Sequence, residues 1–455
     1  VVVVGGGITG LAAAWTLERA ARSGADVQPW VIEASPRLGG KVLTERVGGF
    51  VIDAGPDSFL TTKPWALDLC REVGLADRIV YPQPPRRVYV LYRRRLHPLP
   101  DLAGVLPRGA GAVVRSRLFS WPEKVRLALE PLVPPERDGA DTSVGAFFRR
   151  RLGQAAVDRL VGPLLRGLYG GDPEHLSLTA TVPHYREMVR RHRSLLGALR
   201  ATPAGDGGPA FATLAGGLGE LVDRLAAELR RTTVRTGCRV EALQRTGTGY
   251  RVRLAGGEDV TADAVVVATP AAQAAALLRS VAPQAAEVLE QVRYACAVVV
   301  SVGWAQEQVA RLPAGHGYLV ARGEPVRHVA CTWSSAKWPQ RAPPGYVLLR
   351  FYAGADLCGA SDDALAAAVL EDARSVLGQR GSPVLVRIHR WEQALPHYAV
   401  GHLDRVAAVE EAVFRHRGIA VAGAAYRGVG LPDCIRQGME AAARVLANQP
   451  HRAGP

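Results

Sequence analysis

The residues best suited to chemistry near the start of this sequence are the ones without side chains. In "VVVVGGGITGLAAAWTL" a β-branched run, Val1 to Val4, leads into Gly5, Gly6, Gly7 and Gly10, after which Leu11, Ala14, Trp15 and Leu17 recur at helical spacing. The pattern is that of a buried strand, a tight turn and a helix. At such a turn Gly5 permits the reversal, Gly7 lets a pyrophosphate approach the backbone, and Gly10 lets the helix pack close on the strand. The helix N-terminus offers unpaired N–H groups to the anion. A second apolar stretch, "VQPWVIEA", brings Glu33 about twenty residues beyond the glycines, where a carboxylate meets a ribose hydroxyl. Together these features predict a bound dinucleotide.

Side-chain catalysis leaves no comparable trace. There is no serine nucleophile elbow, no H-E-x-x-H and no convincing acid pair, so the work is expected to fall to a cofactor. The six cysteines, Cys70, Cys238, Cys296, Cys331, Cys358 and Cys434, include no C-x-x-C and no histidines at zinc spacing. Neither a metal site nor a disulfide framework is expected, and a reducing cytoplasm fits best. The formal net charge of +14 suits nucleic acid, an anionic membrane surface or an acidic small molecule. No nucleic-acid-binding motif accompanies it, so nucleic acid is not an expected partner. No apolar run of membrane-spanning length and no signal peptide is found, and the protein is not expected to span a membrane. The sequence starts inside its first strand without a methionine, so a few leading residues are expected to precede it.

A chain of 455 residues exceeds what one hydrophobic core usually serves, and two or three domains are expected. Strand, glycine turn, helix and strand fill residues 1–80. Proline-punctuated, arginine-rich segments such as "PEKVRLALEPLV" and "AAVDRLVGPLLRGLY" predict a helical insert over 81–200. Residues 201–275 return to the nucleotide fold with the buried strand "ADAVVVATP". Strands such as "ACAVVVSVGW" and "YVLLRFYAG" predict a mixed-sheet substrate domain over 276–390. The segment 391–455 closes the nucleotide fold with a strand, a glycine-rich turn and a helix. The expected class is therefore α/β: a Rossmann-like domain assembled from 1–80, 201–275 and 391–455, with a mixed-sheet domain and a helical insert. Assembly of the dinucleotide fold from three separated stretches points to FAD rather than to a diffusing nicotinamide.

Six stretches give the sequence its likeness. "GGGITGLAAAWTL", "VIEASPRLGGKVLT" and "GFVIDAGPDSFL" resemble the flavin amine-oxidase superfamily. "RGLYGGDPEHLSL", "LPHYAVGHLDRV" and "AGAAYRGVGLPDCIRQG" resemble, within it, the oxygen-dependent porphyrinogen oxidases of haem biosynthesis, and the likeness runs over essentially the whole chain. The resemblance implies a pyrophosphate site at Gly5, Gly6, Gly7, Ile8, Thr9 and Gly10, with the adenosine ribose at Glu33 and Ala34. It implies a second phosphate and ribityl loop at Arg37, Gly39, Gly40 and Lys41. Gly55, Pro56, Asp57 and Ser58 would line the flavin, Val240 would touch the adenine by its backbone, and Trp391 would pack near the ring. Val429, Gly430 and Leu431 would face the flavin's pyrimidine end, where a helix dipole suits the negative charge of the reduced ring. For Val240 and Leu431 plain core packing is the competing reading.

The implied reaction removes six electrons from a porphyrinogen, with oxygen as acceptor and peroxide as product. Its substrate needs a flat apolar slot with cations at the edge for propionate carboxylates. The resemblance assigns Arg87, with Arg86 beside it, to a substrate carboxylate, Arg166 and Gly167 to a flank of the slot, and Leu319 to an apolar wall. Arg93, Arg94 and Arg95 read as solvated surface charge. His397 stands where the family more usually has glutamine, and His402 lies in the same structural segment. Coproporphyrinogen III, with four propionates, suits the basic chain somewhat better than protoporphyrinogen IX, with two. A flavin amine oxidase, a carotenoid desaturase and a flavoprotein without turnover are the alternatives. In "REMVRRHRSLLGALR" the arginines Arg186, Arg190, Arg191 and Arg193 suggest peripheral contact with anionic lipid or a solvated helix face. The expected location is cytoplasmic, with peripheral contact at the inner membrane face as a further expectation.

Overall fold

The computed structural model describes residues 1–100, 102–135, 139–201, 208–309 and 312–447. Its first layer is a five-stranded parallel sheet in the order Thr233–Arg235, Trp30–Ile32, Val2–Val4, Val265–Val267, Ile419–Val421. The valine runs form its centre because both faces are covered, one by helices and the other by the antiparallel sheet Val240–Arg245, Tyr250–Leu254, Asp259–Ala262 with helices beside it, and strands buried on both sides are apolar throughout. Two helices from opposite ends of the chain, Ile8–Arg22 and Leu431–Ala447, pack against each other on one face. They approach so closely that a Cβ on Gly438 would collide with the carbonyl oxygen of Thr9. The nucleotide-type sheet thus draws strands from the beginning, middle and end of the chain.

A second sheet has seven strands in the order Leu385–Pro396, Tyr294–Ala305, Tyr346–Ala353, His328–Trp333, Gly317–Val320, Val88–Tyr92, Arg95–Pro98. All its pairs are antiparallel except Gly317–Val320 with Val88–Tyr92. One face packs on the helix Asp362–Leu377 around a core that includes Val298, Val300, Trp304, Trp333, Phe351 and Leu365. The other face turns towards the nucleotide-binding unit: Phe50, Ile52 and Leu348 form a small core there.

Two expected boundaries are corrected by this sheet. The stretch assigned to the helical insert from residue 81 contributes two strands, and its helices begin only at Ala110–Arg115. The hairpin was hidden because Arg93 and Arg94 fill its turn in left-handed conformation, with φ of 51° and 57°, where glycine or asparagine would announce it. The boundary at 390/391 falls inside the continuous strand Leu385–Pro396, which pairs along most of its length with Tyr294–Ala305, so Trp391 belongs to the second sheet. A third correction concerns cysteine. Cys296 and Cys358 form a disulfide across a separation of 62 residues. Spacing could not announce it, because the pairing of Val298 with Ala353 is what brings the two ends together.

The helical insert packs around Phe147, Phe148, Leu160, Leu165 and Tyr185. A π-helical turn, Val157–Val161, runs into the helix Gly162–Tyr169, where Pro163 has no N–H to give. Of the basic cluster, Arg186 donates to the carbonyl of Ala140, Arg191 pairs with Glu187 at 2.6 Å, and Arg193 closes a helix in the left-handed region. A different surface stands out: Trp121, Val125, Leu129 and Leu132, at helical spacing, are all exposed, with Lys124 over the Trp121 ring at 4.7 Å. No described helix is long and apolar enough to cross a membrane.

Candidate functional site

The two glycine turns come together. The N–H of Gly39 donates to the carbonyl of Gly6 at 2.8 Å, and a Cβ on Gly40 would stand 3.1 Å from the Cα of Gly7. A Cβ on Gly10 would collide with the carbonyl oxygen of Gly5, whereas one on Gly7 would meet nothing within 4 Å. Gly10 is therefore small for packing and Gly7 faces open space. Gly7 caps the helix Ile8–Arg22 with no side-chain bond, which leaves the first-turn N–H groups free to meet an anion. Beside Gly5, the buried hydroxyl of Thr269 has no hydrogen-bond partner among the described residues. An open cradle of N–H groups with an orphaned hydroxyl at its edge fits a pyrophosphate.

Glu33 stands next to this cradle. One carboxylate oxygen accepts from the N–H of Gly6 at 2.6 Å, and the other accepts from the N–H and hydroxyl of Ser35, each at 2.8 Å. The carboxylate is thereby aimed while lone pairs stay open for a ribose. Ala34 is exposed, and Val240 lies nearby on the strand Val240–Arg245, since Cys238 and Gly237 donate to the carbonyls of Glu33 and Ser35. Arg37 spends its guanidinium on the carbonyls of Gly40, at 2.6 Å, and Leu38, at 3.1 Å, so it shapes its own turn. Lys41 lies 5.3 Å from the Tyr294 ring, and burial pushes its ammonium down to about 8.

The segment Gly55 to Ser58 lies against Lys41 from the first unit and against the second sheet. A Cβ on Gly55 would collide with the carbonyl of Lys41 and touch Trp391 at 3.8 Å. Trp391 donates its indole N–H to the carbonyl of Ala54 at 2.9 Å, so its ring is pinned at this junction. Burial opposes charge on Asp57, but Lys337 at 3.2 Å and Arg350 at 3.5 Å outweigh it and hold the carboxyl well below the usual range. Ser58 donates to the same carboxylate at 2.8 Å. Val429 and Gly430, half-buried, precede the helix that begins at Leu431, and the thiol of Cys434 in its first turn approaches the carbonyl of Val429 at 3.9 Å. That helix end is anchored by Lys63 on Asp433, at 2.6 Å.

Register decides what the second sheet presents to this junction. Val90, Leu319, Ala330, Tyr352, Val299 and His389 are mutual neighbours across six strands and, by the alternation of side chains, share one face. Arg350, two residues before Tyr352, reaches from that face to the carbonyl of Gly55 at 2.6 Å. The helix Gly162–Tyr169 covers the far end of the row: a Cβ on Gly167 would touch Leu319 at 3.6 Å, and Arg166 donates to the carbonyl of Val320 at 3.2 Å. Arg166, Gly167 and Leu319 are thus brought together. Arg87 stands apart from them at the entry to the strand Val88–Tyr92, where its carbonyl accepts the N–H of His316 at 2.7 Å. Its side chain is exposed and no carboxylate among the described residues pairs with it. Burial lowers the Arg166 guanidinium, partly offset by Asp172.

Several residues of this junction went unnoticed in the sequence. Thr269, Tyr294, Lys337, Trp338 and Arg350 meet it only through tertiary structure. A signal existed for Arg350, a lone charge in the apolar strand "YVLLRFYAG", and for Thr269, which ends a buried strand beside the glycine turn.

The profile of the family described as flavin-containing amine oxidoreductase matches residues 8–446. The protein is 39% identical to the coproporphyrinogen III oxidase of Propionibacterium freudenreichii subsp. freudenreichii, over 98% of this chain and 90% of that one. It is 36% identical to the coproporphyrinogen III oxidase of Bacillus subtilis strain 168, over 98% and 97%. A crystal structure of a protein from Exiguobacterium sp. 255-15 superposes with a TM-score of 0.88 at 34% identity, covering 98% of both chains.

Proposed function

The chain belongs to the flavin-containing amine oxidoreductases, in their porphyrinogen oxidase family, and from that premise we propose that it oxidises coproporphyrinogen III to coproporphyrin III in haem biosynthesis. It is an FAD-dependent enzyme. Bound FAD supplies the hydride-accepting chemistry, and oxygen as final acceptor takes the six electrons as three hydrogen peroxide per ring. What the chain supplies is position. The glycine cradle and Glu33 hold the dinucleotide end, while the turn Gly55 to Ser58 and Trp391 bound the ring. The row Leu319, Ala330, Tyr352 and Val299 offers a largely apolar wall for a planar substrate, bounded at its far end by Gly167, which lies within van der Waals reach of Leu319.

The observation that carries this reading is the convergence of that row with Arg166 and Gly167 at the edge of the junction between Gly55 and Trp391. A cationic amine would gain nothing from such an edge. Arg166 and the exposed Arg87 suit propionates, to which guanidinium binds in a fork. The reading is tested by following porphyrin fluorescence and peroxide from coproporphyrinogen III and protoporphyrinogen IX in parallel. Preference for the first is expected, and Arg87→Ala should raise its KM about tenfold or more, as loss of a charged hydrogen bond implies. Turnover of neither substrate overturns the proposal, and an unchanged KM removes Arg87 from it. Peripheral contact with an anionic lipid surface belongs to the same reading, supported by the exposed stripe Trp121, Val125, Leu129 and Leu132; co-sedimentation with vesicles rich in phosphatidylglycerol checks it.

A further inference from the structure

Between the turn Gly55 to Ser58 and the second sheet lies a group of buried charges. Arg350 is 1% exposed. Its Nη2 donates to the carbonyl of Gly55 at 2.6 Å and its Nη1 lies 3.5 Å from Asp57. Nε and Nη1 meet no acceptor in hydrogen-bond geometry among the described residues, but the guanidinium lies 5.3 Å from the Tyr352 ring, and although burial opposes its charge, Tyr352, Asp57 and Asp53 outweigh it. Asp57 is shared, since Lys337 approaches it at 3.2 Å and the indole N–H of Trp338 at 3.4 Å. The neighbouring charges are matched: Asp53 pairs with Arg341 at 2.9 Å and Glu45 with Arg387 at 2.6 Å. His389, next to Glu45, is kept neutral by burial. Of the buried charges, three cations, Arg350, Lys337 and Arg341, therefore face two carboxylates, Asp57 and Asp53.

A buried guanidinium that shares its carboxylate with a second cation is repaid only in part for its desolvation. A partner arrives if charge develops nearby. A flavin that accepts a hydride gains one negative charge, and a preorganised cation in a site of low dielectric stabilises it at no cost in reorganisation. We propose that Arg350 is a positioning residue that fixes the Gly55 to Ser58 turn and, as the buried cation that shares Asp57 with Lys337, raises the reduction potential of the bound FAD. The inference rests on the assignment of that turn to the flavin ring.

The test compares flavin midpoint potentials of the holoenzyme and its variants, by spectroscopic titration against a reference dye. Wild-type protein should first show a flavin spectrum; its absence overturns the flavin assignment and the inference with it. Arg350→Met should lower the potential by at least about 30 mV, which is a tenfold shift in the equilibrium of a two-electron couple. Arg350→Lys, which keeps the charge, should stay within about a third of that. Should Arg350→Met fail to fold or to hold FAD, Asp57→Asn decides instead: loss of the shared carboxylate should raise the potential. A flavin-loaded Arg350→Met at the wild-type potential, an Arg350→Lys displaced as far as Arg350→Met, or an Asp57→Asn that is unchanged or lowered each overturns the proposal while leaving the flavin assignment intact.

Discussion

Gly7 and Gly10 are small for different reasons, and substitution separates them. A methyl group at Gly10 has nowhere to go but the carbonyl oxygen of Gly5, so Gly10→Ala should destabilise the FAD-free protein by about 1–3 kcal/mol, as overpacking does. At Gly7, whose backbone is extended with φ −69° and ψ 177°, alanine is sterically free in the protein itself. Gly7→Ala should therefore cost the FAD-free protein less than about 1 kcal/mol, the value of a poorer helix cap. It should weaken FAD binding at least tenfold by occupying the space of the phosphate. Urea unfolding without FAD, set beside FAD titration, reads both, and equal losses of apo stability in the two variants would contradict the assignment. Both glycines were legible because the pattern strand, turn, helix makes each position a geometric requirement. Thr269 and Arg350 showed only as a polar residue at a strand end and a lone charge in an apolar strand, since the neighbours that give them a role lie hundreds of residues away in sequence.

Among the elements, the connection "LPHYAVGH" shows how a segment without chemistry of its own holds one that has it. Tyr398 donates its hydroxyl to the carbonyl of Ala424 at 2.6 Å and accepts the N–H of Gly428 at 2.8 Å. His402 stacks on its ring at 3.8 Å and bonds the carbonyl of Tyr426 at 2.8 Å. The pair clamps the loop that ends at the helix Leu431–Ala447. Burial pushes His402 down to about 4, against the weaker pull of the Tyr426 carbonyl, so it is neutral at pH 7. The unfolded chain takes up this proton near the ordinary histidine value while the folded chain resists it down to about 4. Stability should therefore fall as pH falls through that window, by an amount on the order of 3 kcal/mol. His402→Gln, which keeps an N–H donor but cannot titrate, should flatten this loss. Denaturant unfolding at a series of pH values between 7 and 4.5 checks it, and an identical slope in the variant would rule the histidine out. The segment was legible as structural; its two ring partners and their targets were not, because they are fixed by contacts across the loop.

For the whole molecule the question is how two sheets from one chain meet. Asp53 with Arg341, Asp57 with Lys337 and Arg350, and Trp391 with Ala54 join the parallel sheet's unit to the seven-stranded sheet through buried polar contacts. The junction lies where the flavin ring is assigned. Charge acts at this scale as well. With a net charge of +14 and an exposed apolar stripe carrying Trp121, binding to anionic vesicles should weaken several-fold between low and physiological salt, because screening removes the long-range attraction. It should be lost in Trp121→Ser, and vesicle binding unaffected by either change would place the contact elsewhere. The chain alone determined the cradle, the cofactor class and the discontinuous nucleotide fold, because a strand–glycine–helix turn and a β-branched run are local requirements that neighbouring residues must meet. The apolar row of the second sheet, the Cys296–Cys358 bridge, the sheet hairpin at 88–98 and the surroundings of Arg350 were decided by tertiary structure alone, because each depends on strand register, which pairs residues that no spacing in the sequence relates.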